Sequence, residues 1–163
     1  MDERRGVGIG SEGVLVRPGE MALATDGSKL VSVVGIGVAV CLWSPADRIA
    51  ALAHFVEPST RDPSRATPRY GNVAVPELVR MVRESGSCQG LEAQLFGACD
   101  EEPGDPRAMA NAEIALRVLA SRSVPVVSRD LGGGKGRKIV FDGGSGQVAV
   151  LKVHRLRQED RNP

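Results

Sequence analysis

The sequence predicts a single α+β domain, with layered mixed β-sheets and helices on one face. Three observations predict it. The 163 residues suit one domain with room for a real hydrophobic core. Short Val-rich runs, about eight of them, recur between Gly, Pro, Asp and Ser turn signals. Two other windows space their apolar residues as helices do. Aromatic residues make up only 3% of the chain, so the core has to be built from Val, Leu, Ile and Ala.

Val7–Ile9 and Val14–Arg17 read as short strands around the turn Gly10–Gly13. Pro18-Gly19 ends the second, and Asp26-Gly27-Ser28 is another turn. Leu30–Trp43 is a near-continuous apolar run broken by Gly35 and Gly37. A strand buried on both faces has this pattern, and glycines inside one mark a bend, a bulge or a close backbone approach. Ser44-Pro45 closes it, and Arg48–Val56 follows as its hairpin partner. Glu57–Gly71 holds Pro58, Pro63 and Pro68 and is expected to be a long surface loop.

Val75–Glu84 puts Val75, Leu78, Val79 and Val82 on one helical face, with Pro76 near the first turn and Gly86 as C-cap. Leu91–Phe96 alternates as a strand, and Cys99–Pro106 is an acidic link. Ala108–Ala120 is the second helix, with Ile114, Leu116, Val118 and Leu119 as its apolar surface. A strand at Val124–Ser128, a glycine-rich loop at Leu131–Arg137, and a hairpin of Ile139–Phe141 with Val148–Val153 complete the domain. Residues 1–154 form the domain and 155–163 a polar tail, where Arg155, Arg157 and Arg161 are offset by Glu159 and Asp160.

Composition excludes several classes. A net charge of +1 does not fit a nucleic-acid binder, which would carry a strongly basic patch. Cys41, Cys88 and Cys99 are odd in number and lack paired spacing, so neither a disulfide framework nor a zinc site is expected. No cofactor motif is present. MDERRGVGIG has no apolar signal core, and Leu30–Trp43 is too short to span a bilayer, so no membrane insertion is expected. The simplest expectation is a reduced, cytoplasmic protein.

Among candidate chemical residues, His54 lies near the end of its strand beside the proline loop, well placed for proton transfer. Read alone, such a histidine is more often a satisfied structural residue. Gly132-Gly133-Gly134-Lys135-Gly136-Arg137 departs from the P-loop pattern, because Gly136 stands where that pattern has Ser or Thr. A turn between strands, or a substrate-contacting loop using Gly132, Gly133 and Arg137, is expected instead. Cys41 falls inside a buried run, where a thiol is usually inert. Cys88 and Cys99 fall in loops.

Several segments taken in order resemble the CheD family of chemoreceptor glutamine deamidases. V-A-V-C-L-W-S-P is similar to the family's V-A-V-C-L-Y-D-P, A-L-A-H-F-V-E-P to G-M-A-H-F-M-L-P, and L-E-A-Q-L-F-G-A to L-E-A-K-L-F-G-G. R-Y-G-N-V-A-V-P-E-L resembles R-Y-x-D-x-A-V-x-x-L, and D-L-G-G-G-K-G-R-K-I-V-F with S-G-Q-V-A-V-L-K-V resembles the last third. The resemblance runs from Val7 to Val153 and implies an α/β/β domain. It also implies a thiolate that attacks a glutamine side-chain amide, a histidine that activates the thiol, and a threonine that helps place the histidine. His54 matches the histidine. Chemoreceptor cytoplasmic domains and CheC-type phosphatases are the implied partners.

The nucleophile does not match. Where the family reads T-L-G-L-G-S-C-V-A-V-C-L, this chain reads V-S-V-V-G-I-G-V-A-V-C-L. Without a gap, Gly37 falls at the cysteine and Val31 at the threonine. With the Ser-Cys pair deleted, Val33 falls at the threonine. Both alignments lose both residues. Cys41 lies four residues on, about 13 Å along a strand at roughly 3.3 Å per residue. The family's I-G-x-R-N motif survives only as Asn111, with Ala110 at the arginine. These departures lead to the expectation of a catalytically impaired homologue that works by binding. The alternative is an active deamidase using another cysteine.

Overall fold

The structure, a computed structural model, describes residues 13–153 except 101 and 103. The strand expected at Val7–Ile9 and the polar tail lie outside the described residues. Within them the order is β1 (Val14–Leu15), β2 (Met21–Ala24), β3 (Lys29–Val34), β4 (Val38–Ser44), β5 (Ile49–Phe55), α1 (Gly71–Ser85), β6 (Glu92–Gly97), α2 (Pro106–Ser121), β7 (Val126–Leu131), β8 (Gly136–Asp142) and β9 (Val148–Val153). One turn of 3-10 helix, Pro63–Arg65, interrupts the proline loop.

The strands form two sheets, β1-β3-β8-β9 and β2-β5-β4-β6-β7. Each is mixed: β1 runs parallel to β3 and β7 parallel to β6, and the other pairs are antiparallel. Period-two alternation explains the layering. Val38, Val40 and Leu42 of β4, with Ile49, Ala51, Ala53 and Phe55 of β5, pack with Val75, Leu78, Val79 and Val82 of α1 and with Ile114, Ala115 and Leu119 of α2. The intervening Ala39, Cys41, Trp43, Ala50 and Leu52 pack instead on Leu30, Val34, Ile139 and Phe141 of the four-stranded sheet. The result is the expected α/β/β sandwich, with both helices on one face of the central sheet.

Some elements differ from the sequence expectations. Leu30–Trp43 is two strands in two sheets: Gly35-Ile36-Gly37 carries the chain from β3 in one layer to β4 in the next. Apolar periodicity reports burial, which is equally complete in either layer, so the crossing was invisible in it. β2 was not anticipated, because Met-Ala-Leu-Ala has no β-branched residue. α1 begins four residues before Val75, so Pro76 sits inside it. Gly86 follows α1 in extended conformation, φ −172°. A side chain there would meet the Asp47 carboxylate, so its smallness matters more than any left-handed cap. The glycine-rich loop shrinks to residues 132–135, and Arg137 belongs to β8.

Candidate functional site

His54 is the second-to-last residue of β5, on the face that Ala50 and Leu52 turn toward the other sheet. It is 1% exposed. Its backbone is fixed on the outer side, where its N–H donates to the Glu20 carbonyl at 3.1 Å and its carbonyl accepts from the Gly19 N–H at 2.7 Å. Across the gap between the sheets stands Ser32 of β3, also fully buried. Ser32 Oγ donates to the Val16 carbonyl at 2.6 Å and lies 3.0 Å from His54 Nδ1. A serine hydroxyl has one proton. With that proton on Val16, the Nδ1 contact requires that Nδ1 carry the hydrogen and Oγ accept it.

Burial lowers the His54 pKa from 6.5 to about 4, so the ring is neutral near pH 7. Its other nitrogen, Nε2, is then a lone-pair acceptor. Nε2 is buried and has no hydrogen-bond partner. It faces Gly37: a Cβ on that glycine would lie 3.2 Å from Nε2 and 3.1 Å from Val56 Cγ1, and would run into the Phe55 carbonyl oxygen.

The turn that holds Gly37 is anchored at all three carbonyls. Gly35 O accepts from the Cys99 N–H at 2.8 Å, and Gly37 O from the Ala98 N–H at 2.7 Å. Ile36 O accepts from Asn111 Nδ2 at 3.0 Å. The same Nδ2 donates to Val56 O, also at 3.0 Å. Asn111 thus ties α2 to the turn and to the end of β5 in one contact set.

The two positions that sequence alignment offered for a threonine, Val31 and Val33, alternate with Ser32 and point to the opposite face of β3. Ser32 is the hydroxyl beside His54. A buried serine hydroxyl needs partners, and Val16 O and His54 Nδ1 supply them; the Asn111 amide is likewise buried, with two carbonyls as its partners.

The cysteines are not brought to Nε2. Cys41 faces the same gap, but it pairs across with Leu52, two positions along from Ala39, which pairs with His54. Burial pushes its thiol pKa up strongly. Cys99 is buried beside the turn through its backbone contact to Gly35. Cys88 is remote: its Sγ donates to Val82 O at 3.1 Å, and its pKa is raised by burial and then by Asp47.

The other candidate binding residues hold loops together. Gly132 N–H donates to Gly97 O at 2.9 Å, and Gly133 O accepts from the Asp100 N–H at 2.7 Å. Both glycines have positive φ, +91° and +78°, and a side chain on either would meet nothing within 4 Å, so the turn itself explains them. Arg137 is 2% exposed, and its Nη2 pairs with Asp130 Oδ1 at 2.9 Å. Its charge is committed inside the protein. Among the described residues, no group of three or more His, Cys, Asp or Glu side chains could hold a metal, and no helix is long and apolar enough to cross a membrane.

The site therefore offers a neutral, oriented imidazole base facing a closed backbone turn. Comparison with known proteins gives the lineage of this arrangement. A family model described as "CheD chemotactic sensory transduction" matches residues 56–152, beginning just past His54. The probable chemoreceptor glutamine deamidase CheD 1 of Anaeromyxobacter dehalogenans is 35% identical over 155 residues, 90% of this chain and 88% of that protein. CheD 2 of Albidiferax ferrireducens, also described as a probable chemoreceptor glutamine deamidase, is 36% identical over 83% of this chain and 84% of its own length. The corresponding protein of Sulfurimonas denitrificans is 30% identical over 86% and 94%. The match to both the family model and near-full-length relatives shows that this chain belongs to the CheD family.

Proposed function

We propose that this protein is a CheD-type chemotaxis component that acts by binding, on chemoreceptor cytoplasmic domains or on a CheC-type phosphatase, without deamidating glutamine. One observation carries the reading. The base is present, but the position facing its free nitrogen is Gly37, which has no nucleophilic atom. Amide hydrolysis through a thioester needs a thiolate within bonding reach of the substrate carbonyl, and a misplacement of about 1 Å already costs on the order of a hundredfold in rate. The scaffold around the gap is intact, and the same fold in relatives is named for action on chemoreceptors. A family fold kept over most of the chain, with no nucleophilic atom at Gly37, favours binding as the function.

The second reading is a deamidase that uses Cys41 or Cys99 with His54. The backbone contact of Cys99 to Gly35 is the observation in its favour. Incubation with chemoreceptor cytoplasmic domains separates the two. Ammonia release and the mass change of amide-to-acid conversion are measured, beside a family member that retains its cysteine. The expected outcome is no conversion by this chain and retained binding in a pull-down. Conversion that disappears in His54→Ala and in Cys41→Ser with Cys99→Ser would establish the second reading.

A further inference from the structure

Each sheet ends in two edge strands: β1 and β9 in one, β2 and β7 in the other. An edge strand presents unpaired N–H and C=O groups, and folded proteins blunt such edges with short length, charge, proline or a bulge. β1 has two residues and β2 four. β7 exposes Ser128 and Arg129, and its pairing with β6 is irregular at Ala93/Gln94. β9 has none of these defences. Its six residues, V-A-V-L-K-V, pair in unbroken register with β8 and, among the described residues, with no other strand. Its single charge, Lys152, turns inward to lie 3.9 Å from Asp130 of β7.

The pairing fixes where each β9 group points. Asp142 N–H donates to Gln147 O at 2.8 Å, which makes residues 142 and 147 a hydrogen-bonded pair. Antiparallel ladders alternate bonded and non-bonded pairs, so Ala149, Leu151 and Val153 bond to β8. The N–H and C=O groups of Val148, Val150 and Lys152 then point away from β8, into the open edge. The side chains alternate in the same way. Val148 and Val150 pack against the inter-sheet core, whereas Ala149 and Leu151 stand exposed on the outer face, Leu151 by 64%.

We propose that β9 is a self-association edge, which takes β9 of a second copy of this chain in antiparallel pairing about a two-fold axis at Val150. Any extended chain can bond to such an edge, so the choice of occupant rests on register and side chains. With the axis at Val150, Val150 meets the partner's Val150 and Val148 meets the partner's Lys152. All three outward residues are then used, giving about six backbone hydrogen bonds, two for each bonded pair. On the outer face Ala149 lies opposite the partner's Leu151, a small side chain against a large one. The two Lys152 side chains fall at opposite ends of the interface, so no like charges meet. Leu15, Val31, Val140 and Ala149 form one row across the outer face of the four strands, and the pairing continues that row into the second copy. The interface is small, so the expected dissociation constant is on the order of 10 μM.

Sedimentation equilibrium of the full chain tests this. Across concentrations bracketing that value, the mean mass is expected to rise from one chain to two. Ala149→Lys with Leu151→Lys sets lysine against lysine at both outer pairs and is expected to weaken association about tenfold or more. Ala149→Glu with Leu151→Lys sets opposite charges across the same pairs and is expected to restore it. Both positions are exposed, so both variants are expected to keep the wild-type circular dichroism. Hydrogen exchange supplies a second readout. The amides of Val148, Val150 and Lys152 are expected to slow with rising concentration, while those of Ala149, Leu151 and Val153, already bonded to β8, stay unchanged. A chain that remains monomeric throughout overturns the proposal. So does a dimer indifferent to the lysine pair, which would place the contact elsewhere. Slowing of the alternate amides only when a chemoreceptor cytoplasmic domain is added, with the chain still monomeric, would assign the edge to a foreign strand and equally overturns self-pairing. None of these readouts depends on whether the protein deamidates glutamine.

Discussion

A neutral imidazole buried with no counter-charge makes folding depend on pH. In the folded chain His54 has its pKa lowered to about 4, and the unfolded value is 6.5. Between those values the unfolded state binds the proton and the folded state does not, so acidification favours unfolding. The stability is fully present above pH 6.5 and drains away as pH falls toward 4. At about 1.4 kcal/mol per pH unit, the loss is on the order of 3 kcal/mol. Carboxylates held low by their partners, such as Asp130 beside Arg137, lose their contribution only at lower pH. Denaturant titrations of wild type at pH 7 and pH 4.5 are expected to differ by a large part of that amount. His54→Asn, less stable throughout, is expected to lose most of the difference. An equal slope in both proteins would mean that His54 is solvated or paired in solution.

At the scale of elements, the turn between β3 and β4 depends on α2. Asn111 supplies one amide to two carbonyls, Ile36 O and Val56 O, from a fully buried position. Asn111→Leu would strand both acceptors, at about 1–3 kcal/mol each for a buried unsatisfied group. The expected outcome is a stability loss of about 2–6 kcal/mol, together with faster hydrogen exchange at the Ala98 and Cys99 amides that bond the turn. Lost stability with unchanged exchange there would place the role of Asn111 elsewhere. This contact also shows where sequence reading stopped. The amphipathic spacing of Val75, Leu78, Val79 and Val82 and the alternation of β4 and β5 were legible, because burial on one face writes a period into the chain. His54 was legible through its resemblance to a family motif. Ser32 was not, because alignment placed the hydroxyl one residue away on either side, where the pleat turns it to the wrong face. Nor was the division of Leu30–Trp43 between two layers, since apolar residues look alike whichever sheet buries them.

The whole molecule depends on one shared layer. All seven residues of β4 and all seven of β5 are buried, seven of them in the core beneath the helices and five in the core against the four-stranded sheet. Among the described residues nearly all the buried apolar side chains fall into these two clusters, each shared between the central sheet and one outer layer, so each outer layer needs the central sheet to bury its own. A defect in either core should then weaken the entire domain in one step. Trp43, the chain's single tryptophan, sits between the two sheets and reports that side alone. Far-ultraviolet circular dichroism reports α1 and α2 on the other. Leu52→Ala opens a cavity in the inter-sheet core and Leu78→Ala one beneath the helices; both side chains are fully buried, and each change should cost about 2–5 kcal/mol. In denaturant, the fluorescence and dichroism midpoints are expected to coincide in wild type and to shift together in both variants. If Leu52→Ala moved the fluorescence transition ahead of the dichroism, the four-stranded sheet would be peeling off separately. His54 and Ser32, which stand on opposite sheets, would then owe their contact to a weaker docking than the buried surfaces imply.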